Sequence, residues 1–306
     1  MPYDPSDPRS KLSTAVAAPV GTPRQPTYRE LDGTPADEQH PHGSSTWWTR
    51  SAAMVIAHTD AHPGDELAVD TEGEYVVLVL EGAAVTVTHD GDTQSVEEYA
   101  VVIMPSGASA VRVDAAGTIV RVFGAPTVPH LAARCVNADA YADGDPNVAE
   151  WAPWPAPPDG ERIRIYRCAD YPPEPGRMGR IFRCSTVMVN SFDAASDERD
   201  FSRVSPHHHD DFEQVSVQID GDFTHHMRVT WTPDIDSWRE DEHRFTRSPA
   251  TVVIPPPLIH TTQPHNGMRR FLIDVFAPPR FDFSEQPGWV VNADEYPMPE
   301  RAAVSG

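Results

Sequence analysis

Positive charge is scarce in this chain. Lys11 is the single lysine, and Lys plus Arg number 24 against 46 Asp plus Glu, a formal net charge of −22. A field of that sign repels phosphate backbones and anionic lipid, so neither nucleic acid nor a membrane surface is an expected partner. Because Lys11 lies in a Pro-rich leader, Schiff-base chemistry on a buried lysine is excluded too. Cysteine is nearly as rare. Cys135, Cys168 and Cys184 are odd in number and have no C-x-x-C spacing, which argues for free thiols and against a disulfide framework or a cysteine zinc site. No apolar run approaches the roughly 18 residues of a membrane span. The leader MPYDPSDPRSKLSTAV has neither the basic start nor the apolar stretch of a signal peptide, so a cytoplasmic location is the expectation. Also missing are G-x-S-x-G, G-x-x-x-x-G-K-[ST] and G-x-G-x-x-G, which removes the usual support for a hydrolase triad, a P-loop or a dinucleotide fold.

What the chain does have is short runs of Val, Ile, Thr and aromatic residues cut by Gly, Pro and Asp, such as YVVLVLEG, AVTVTHDG, QVSVQIDG and RFLIDVF. That pattern predicts an all-β chain of short strands and turns. Residues 1–45 show little periodicity and read as an extended arm, and the Pro-rich stretch 143–160 reads as a linker. The two halves share ordered segments. TRSAAMVIAHTDA (49–61) parallels FRCSTVMVNSFDA (182–194), EYVVLVLEG (74–82) parallels EQVSVQIDG (213–221), and VNADAY (136–141) returns as VNADEY (291–296). An internal duplication is the expectation.

The stretch SPHHHDDFEQ (205–214) sets three imidazoles among three carboxylates. It reads either as a metal site or as a solvated polar loop. On an extended backbone alternate side chains share a face, so His207 and His209 converge while His208 points away. Glu213 follows within a turn, Gly221 ends the next strand, and TVVIPPPLIHTTQ supplies a proline turn followed by His260.

These residues resemble the two motifs of the cupin superfamily. The first is H-x-H, three or four residues, E and then a glycine, here His207, His209, Glu213 and Gly221. The second is a proline-containing turn and a histidine, here Pro255, Pro256 and His260. Two departures stand out: Pro257-Leu258 replaces the usual turn glycine, and the interval from Glu213 to Gly221 is slightly long. The resemblance implies two tandem jelly-roll (double-stranded β-helix) barrels, a bicupin. Residues 46–142 would form the first barrel and 161–306 the second, joined by 143–160. It implies one divalent transition metal ion, Fe(II) first and Mn, Ni, Cu or Zn as alternatives, held by His207, His209, Glu213 and His260, with His208 as an alternative ligand. In the first half, Ala68, Asp70, Glu74 and Ser109 align with those four, so that barrel is expected to hold no metal and to serve in structure or in a homodimer.

After the glycine, Val85 and Val87 of the first half align with Thr224 and His226 of the second. Polar groups in place of aliphatic ones suggest a substrate-binding interior with His226 and Arg228, and the alternative is that His225 faces inward instead. An insertion carrying Trp231, Trp238 and His243 is expected to lie over the barrel mouth. The leading functional expectation is a dioxygenase that takes a small polar or aromatic substrate and O₂. The alternatives are a metal-dependent isomerase or lyase, with His226 or His243 moving a proton, and a non-catalytic metabolite binder.

Overall fold

A computed structural model describes residues 19–174, 177, 179–196, 200, 203–265, 267 and 269–300. Stiff β-branched side chains between Gly, Pro and Asp turns favour extended backbone. Among the described residues the strands pair antiparallel into four sheets, and each of two barrels packs a larger sheet on a smaller one. The first barrel combines seven and four strands, the second six and three. This is the all-β class that the strand pattern predicts and the jelly-roll architecture that the resemblance implies. Among the described residues, no helix is long and apolar enough to cross a membrane.

The two large sheets share one strand order. In the first it runs Arg164–Arg167, Ala100–Met104, Tyr75–Leu80, Gly117–Gly124, Met54–Ala61, Ser45–Arg50. In the second it runs Thr27–Glu30, Ala250–Ile254, Glu213–Asp220, Phe271–Ala277, Met188–Ser191, Arg180–Arg183. The first sheet adds Glu38–Gln39 at its far edge.

Each order begins with a strand from the other half of the chain, which corrects the expected boundaries. Residues 27–30, expected in the arm, pair with 250–253 of the second barrel. Residues 164–167, expected in the second barrel, pair with 100–103 of the first. Nor is 143–160 a free spacer. The backbone N–H of Ala149 donates to the Asp211 carbonyl (2.8 Å) and that of Trp154 to Ser185 (2.7 Å), and the buried Trp154 ring packs on Phe281.

Alternation along the central strands assigns every side chain to one of two tasks. From Tyr75–Leu80, the residues Val76, Leu78 and Leu80 meet Val215, Val217 and Ile219 from Glu213–Asp220 in one apolar seam between the barrels. The intervening Tyr75, Val77 and Val79 fill the first barrel together with Val85, Val87 and Val111. The intervening residues of the second strand are Gln214, Ser216 and Gln218, all buried and hydrogen-bonded to other side chains of the second barrel. One barrel is filled with hydrocarbon and the other is lined with amides and hydroxyls.

At the start of these strands two carboxylates cross between the barrels. Glu213 accepts from Ser51 Oγ (2.6 Å), Ala53 N (2.7 Å) and Ala52 N (3.1 Å) of the first barrel. Glu74 accepts from Ser185 Oγ (2.7 Å), Ser185 N (3.1 Å) and the Tyr296 hydroxyl (2.8 Å). Burial pushes both carboxyls above their usual range, Glu213 to about 7, against the pull of these donors. Replacing Glu213 by alanine removes the acceptor of the buried Ser51 hydroxyl and of the part-buried Ala52 N–H and leaves Ala53 N–H only its longer bond to Ser51 Oγ (3.2 Å), and we expect a loss of about 3 kcal/mol in denaturant unfolding. Glu74→Ala should behave alike. A change within about 0.5 kcal/mol for both, the range of an ordinary surface substitution, would rule out the crossing as a stabilising element.

Candidate metal centre

His207 and His260 sit opposite each other as an isolated antiparallel bridge, His207 N–H donating to the His260 carbonyl (2.9 Å) and His260 N–H to that of His207 (2.6 Å). The bridge places two imidazoles side by side. The proline turn before His260 closes with Leu258 N–H on the Pro255 carbonyl (3.3 Å), without the usual glycine. His209, two residues beyond His207, returns to the same face, its ring packed 4.4 Å from that of Phe212. One ring nitrogen of each of the three histidines lies within 4.8 Å of the others.

Hydrogen bonds to the backbone set two of the rings. His207 Nδ1 lies 2.9 Å from the Ser205 carbonyl and His260 Nδ1 lies 3.0 Å from that of Leu258. A carbonyl can only accept, so each Nδ1 carries the proton and each Nε2 presents a lone pair to the cluster. His209 is held well below the usual histidine range by burial, and beyond that by the Arg280 guanidinium and the neighbouring imidazoles, so its ring is neutral.

The fourth group is Gln214. Its Oε1 lies 2.8 Å from His209 Nε2 and 3.3 Å from His260 Nε2. Its orientation is fixed from behind, because the amide nitrogen donates to Asp274 Oδ1 (3.0 Å) and Ser216 Oγ (3.1 Å), and Ser216 Oγ donates to the same Asp274 oxygen (2.6 Å). Only the carbonyl oxygen can therefore face the imidazoles. Three imidazole nitrogens and one amide oxygen converging in a buried pocket suit a divalent transition metal ion.

Glu213, expected as a ligand, is turned away. It is adjacent to Gln214 on an extended strand, so the two side chains leave opposite faces, and its carboxylate is taken up by Ser51, Ala52 and Ala53. His208 also points away from the cluster, with Nε2 3.1 Å from Asp210 Oδ1. Two signals in the sequence pointed to Gln214. The interval to Gly221 is long when counted from Glu213, and the first half keeps Glu74 opposite Glu213 while lacking the histidines, so the glutamate had to serve something other than a metal.

The first barrel shows what fills the place of such a cluster. Tyr75 stands at the Gln214 position, and its hydroxyl meets Ser109 Oγ at 2.9 Å where Gln214 meets His260. Arg121 stands where Asp274 does, its guanidinium 5.3 Å from the centroid of Trp48. Ser109 pairs with Val69 as His260 pairs with His207, so Val69 and Thr71 hold the inner positions; Ala68 and Asp70 are exposed, contrary to the alignment.

The proposed substrate residues lie elsewhere. Along Asp222–Arg228 the buried residues are Phe223, His225 and Met227, so His225 enters the barrel, meeting Gln218 and Thr262. His226 and His243 face each other across the outer side of that hairpin, Nδ1 to Nδ1 at 2.7 Å. Arg228 is exposed and paired with Asp241. Trp231, 73% exposed, stacks on Trp238 at 4.6 Å at the surface. None of these lines the cavity next to the cluster. That cavity, about 790 Å³, opens where Arg180–Arg183, Met188–Ser191 and Phe271–Ala277 meet the segment 288–294, and both His207 and Gln214 line it. Its wall includes Phe276, Phe283, Trp289 and Arg280, the last with its guanidinium over the Phe283 ring and bonded to Asp282.

The oxalate decarboxylase of Bacillus subtilis superimposes on 95% of this chain and 84% of its own at a TM-score of 0.51 and 13% identity. A second oxalate decarboxylase structure gives 94%, 88%, 0.51 and 12%. The protein Ylba from E. coli covers 88% of this chain and 96% of its own at 0.49 and 13%. No family model and no curated protein matches the sequence. The chain has the two-barrel cupin fold.

One metal ion per chain is expected, with Gln214→Ala and His260→Ala both losing tight binding and Glu213→Gln retaining it. Elemental analysis of untagged protein reads the outcome. Two tightly bound ions per chain, or metal loss in Glu213→Gln with Gln214→Ala unaffected, would contradict this donor set.

Proposed function

We propose that the chain is a metal-dependent dioxygenase acting on a small organic substrate in the second barrel. The observation that carries this reading is that His207 and Gln214, two of the four donor groups, form part of the wall of a roomy cavity while His209 and His260 are buried behind them. A redox-active divalent ion held by these four groups would supply electron transfer to dioxygen and a positive centre for a substrate oxygen. The chain's own residues bind, orient and keep dry. Phe276, Phe283 and Trp289 give the cavity an apolar side that excludes water from a bound aromatic or alkyl body. Ser205, Leu258 and the Asp274–Ser216 pair hold the donor atoms in one orientation before any substrate arrives.

A metal-dependent isomerase or lyase needs a side chain that moves a proton. The imidazoles expected for that task, His226 and His243, lie on the outer face of the barrel. Asp274, which lines the cavity, already accepts from Gln214 and Ser216. Asp170 and Asp294 also line the cavity, so dependence on O₂ is the measurement that separates the two readings.

Protein loaded under argon with Fe(II), Mn(II), Ni(II), Cu(II) or Zn(II) can be screened with aromatic and keto acids in an oxygen electrode. We expect O₂ uptake matched to substrate loss with a redox-active ion, none with Zn(II), and at least a hundredfold loss in His260→Ala. Equal product formation without O₂ would replace this reading with the isomerase or lyase. Binding without turnover in every loaded form would replace it with a metabolite binder.

A further inference from the structure

We infer that the occupant of this cavity is an organic monoanion with a bulky apolar body, bound with its single charged oxygen group toward His207 and Gln214. This rests on the enzyme reading above and deepens it.

The charge of the occupant follows from the donor groups. A histidine ligates through a neutral ring and an amide carries no charge, so three imidazoles and Gln214 leave both charges of a divalent ion uncompensated. The carboxylate that would have offset one of them, Glu213, faces the other barrel. Asp274 stands behind the amide and gives its Oδ1 to Gln214 and Ser216. A partly buried cation with a neutral shell favours an anionic partner, and the cavity on the His207 and Gln214 side is where one can enter.

The number of charges follows from the rest of the wall. Four arginines line the cavity; Arg280 is matched to Asp282, Arg180 to Asp193 and Arg177 to Glu174, and Arg203 has a partner as well. A second carboxylate at the far end of the ligand would have to displace one of these pairs. The size follows from the volume: about 790 Å³ lies within the range of pockets that enclose drug-sized molecules. A two-carbon dianion such as oxalate would fill little of that volume, and its second charge would have to compete with the carboxylates that already pair these arginines.

The test is calorimetric titration, under argon, of Zn(II)-loaded protein with 2-naphthoate, cinnamate and octanoate, their neutral amides, and oxalate. At least one of the three monoanions is expected to bind ten or more times tighter than its amide and than oxalate, and to lose that affinity in the metal-free protein. Gln214→Glu, which returns a negative charge to the donor set, should keep the metal and weaken the monoanion at least tenfold. Trp289→Ala should weaken it several-fold with metal content unchanged. Equal binding of acid and amide, preference for oxalate, no effect of Gln214→Glu, or failure of all three monoanions to bind each overturns the inference. Because Zn(II) supports no electron transfer, the result is independent of the oxygen chemistry: monoanion binding in a protein that never consumes O₂ would sink the dioxygenase reading alone.

Discussion

The crossed carboxylates of Glu74 and Glu213 are the constraint on which the rest depends. Each leaves its own barrel to satisfy a serine-bearing turn of the other, Ser185 in one case and Ser51 in the other. Both are fully buried, so each of those donors would otherwise face a dry interface without an acceptor. Their position also sets the phase of the two central strands. With Glu213 committed to the seam, Val215, Val217 and Ile219 must follow it there, and Gln214, Ser216 and Gln218 must enter the barrel. The chemistry of the second barrel's interior is thus a consequence of an interaction outside it.

The same phase operates in the first barrel with a different filling. Tyr75, Val77 and Val79 occupy what are amide and hydroxyl positions in its counterpart, and the core closes over them. An interior of valine packs at crystal-like density. The second barrel gives up that packing for a network in which His225, Gln218, Thr246 and Thr262 bond one another. A framework with one strand order therefore supports one half filled with hydrocarbon and one lined with polar side chains.

Much of this was legible in the sequence. The all-β class followed from short β-branched runs, and the matched segments 74–82 and 213–221 correctly announced two central strands that correspond. His207, His209 and His260 were legible because period-two alternation and a proline turn are local. The fourth donor was not, because Glu213 and Gln214 are adjacent and a one-residue choice of face decides between them; the carboxylate is the commoner ligand, but its partners, Ser51 to Ala53, are far away in the chain. His225 and His226 posed the same one-residue choice, and again burial favoured the neighbour. The cavity was beyond reach, since its walls come from strands, a late turn and a terminal segment that only the tertiary fold brings together. Strand exchange was equally hidden: nothing local in Thr27–Glu30 or Arg164–Arg167 tells which half it will join.

That exchange makes the chain topologically closed. The edge of Ala250–Ile254 is covered by a strand that precedes the first barrel in the chain, and the edge of Ala100–Met104 by one that follows it. Neither barrel can be finished on the ribosome before the other has begun, and a nascent N-terminal half emerges with an open sheet edge and a spare strand. A cut within 143–160 would yield two fragments that each carry the other's missing piece, the arrangement of a split protein whose halves recognise each other by reciprocal strand donation.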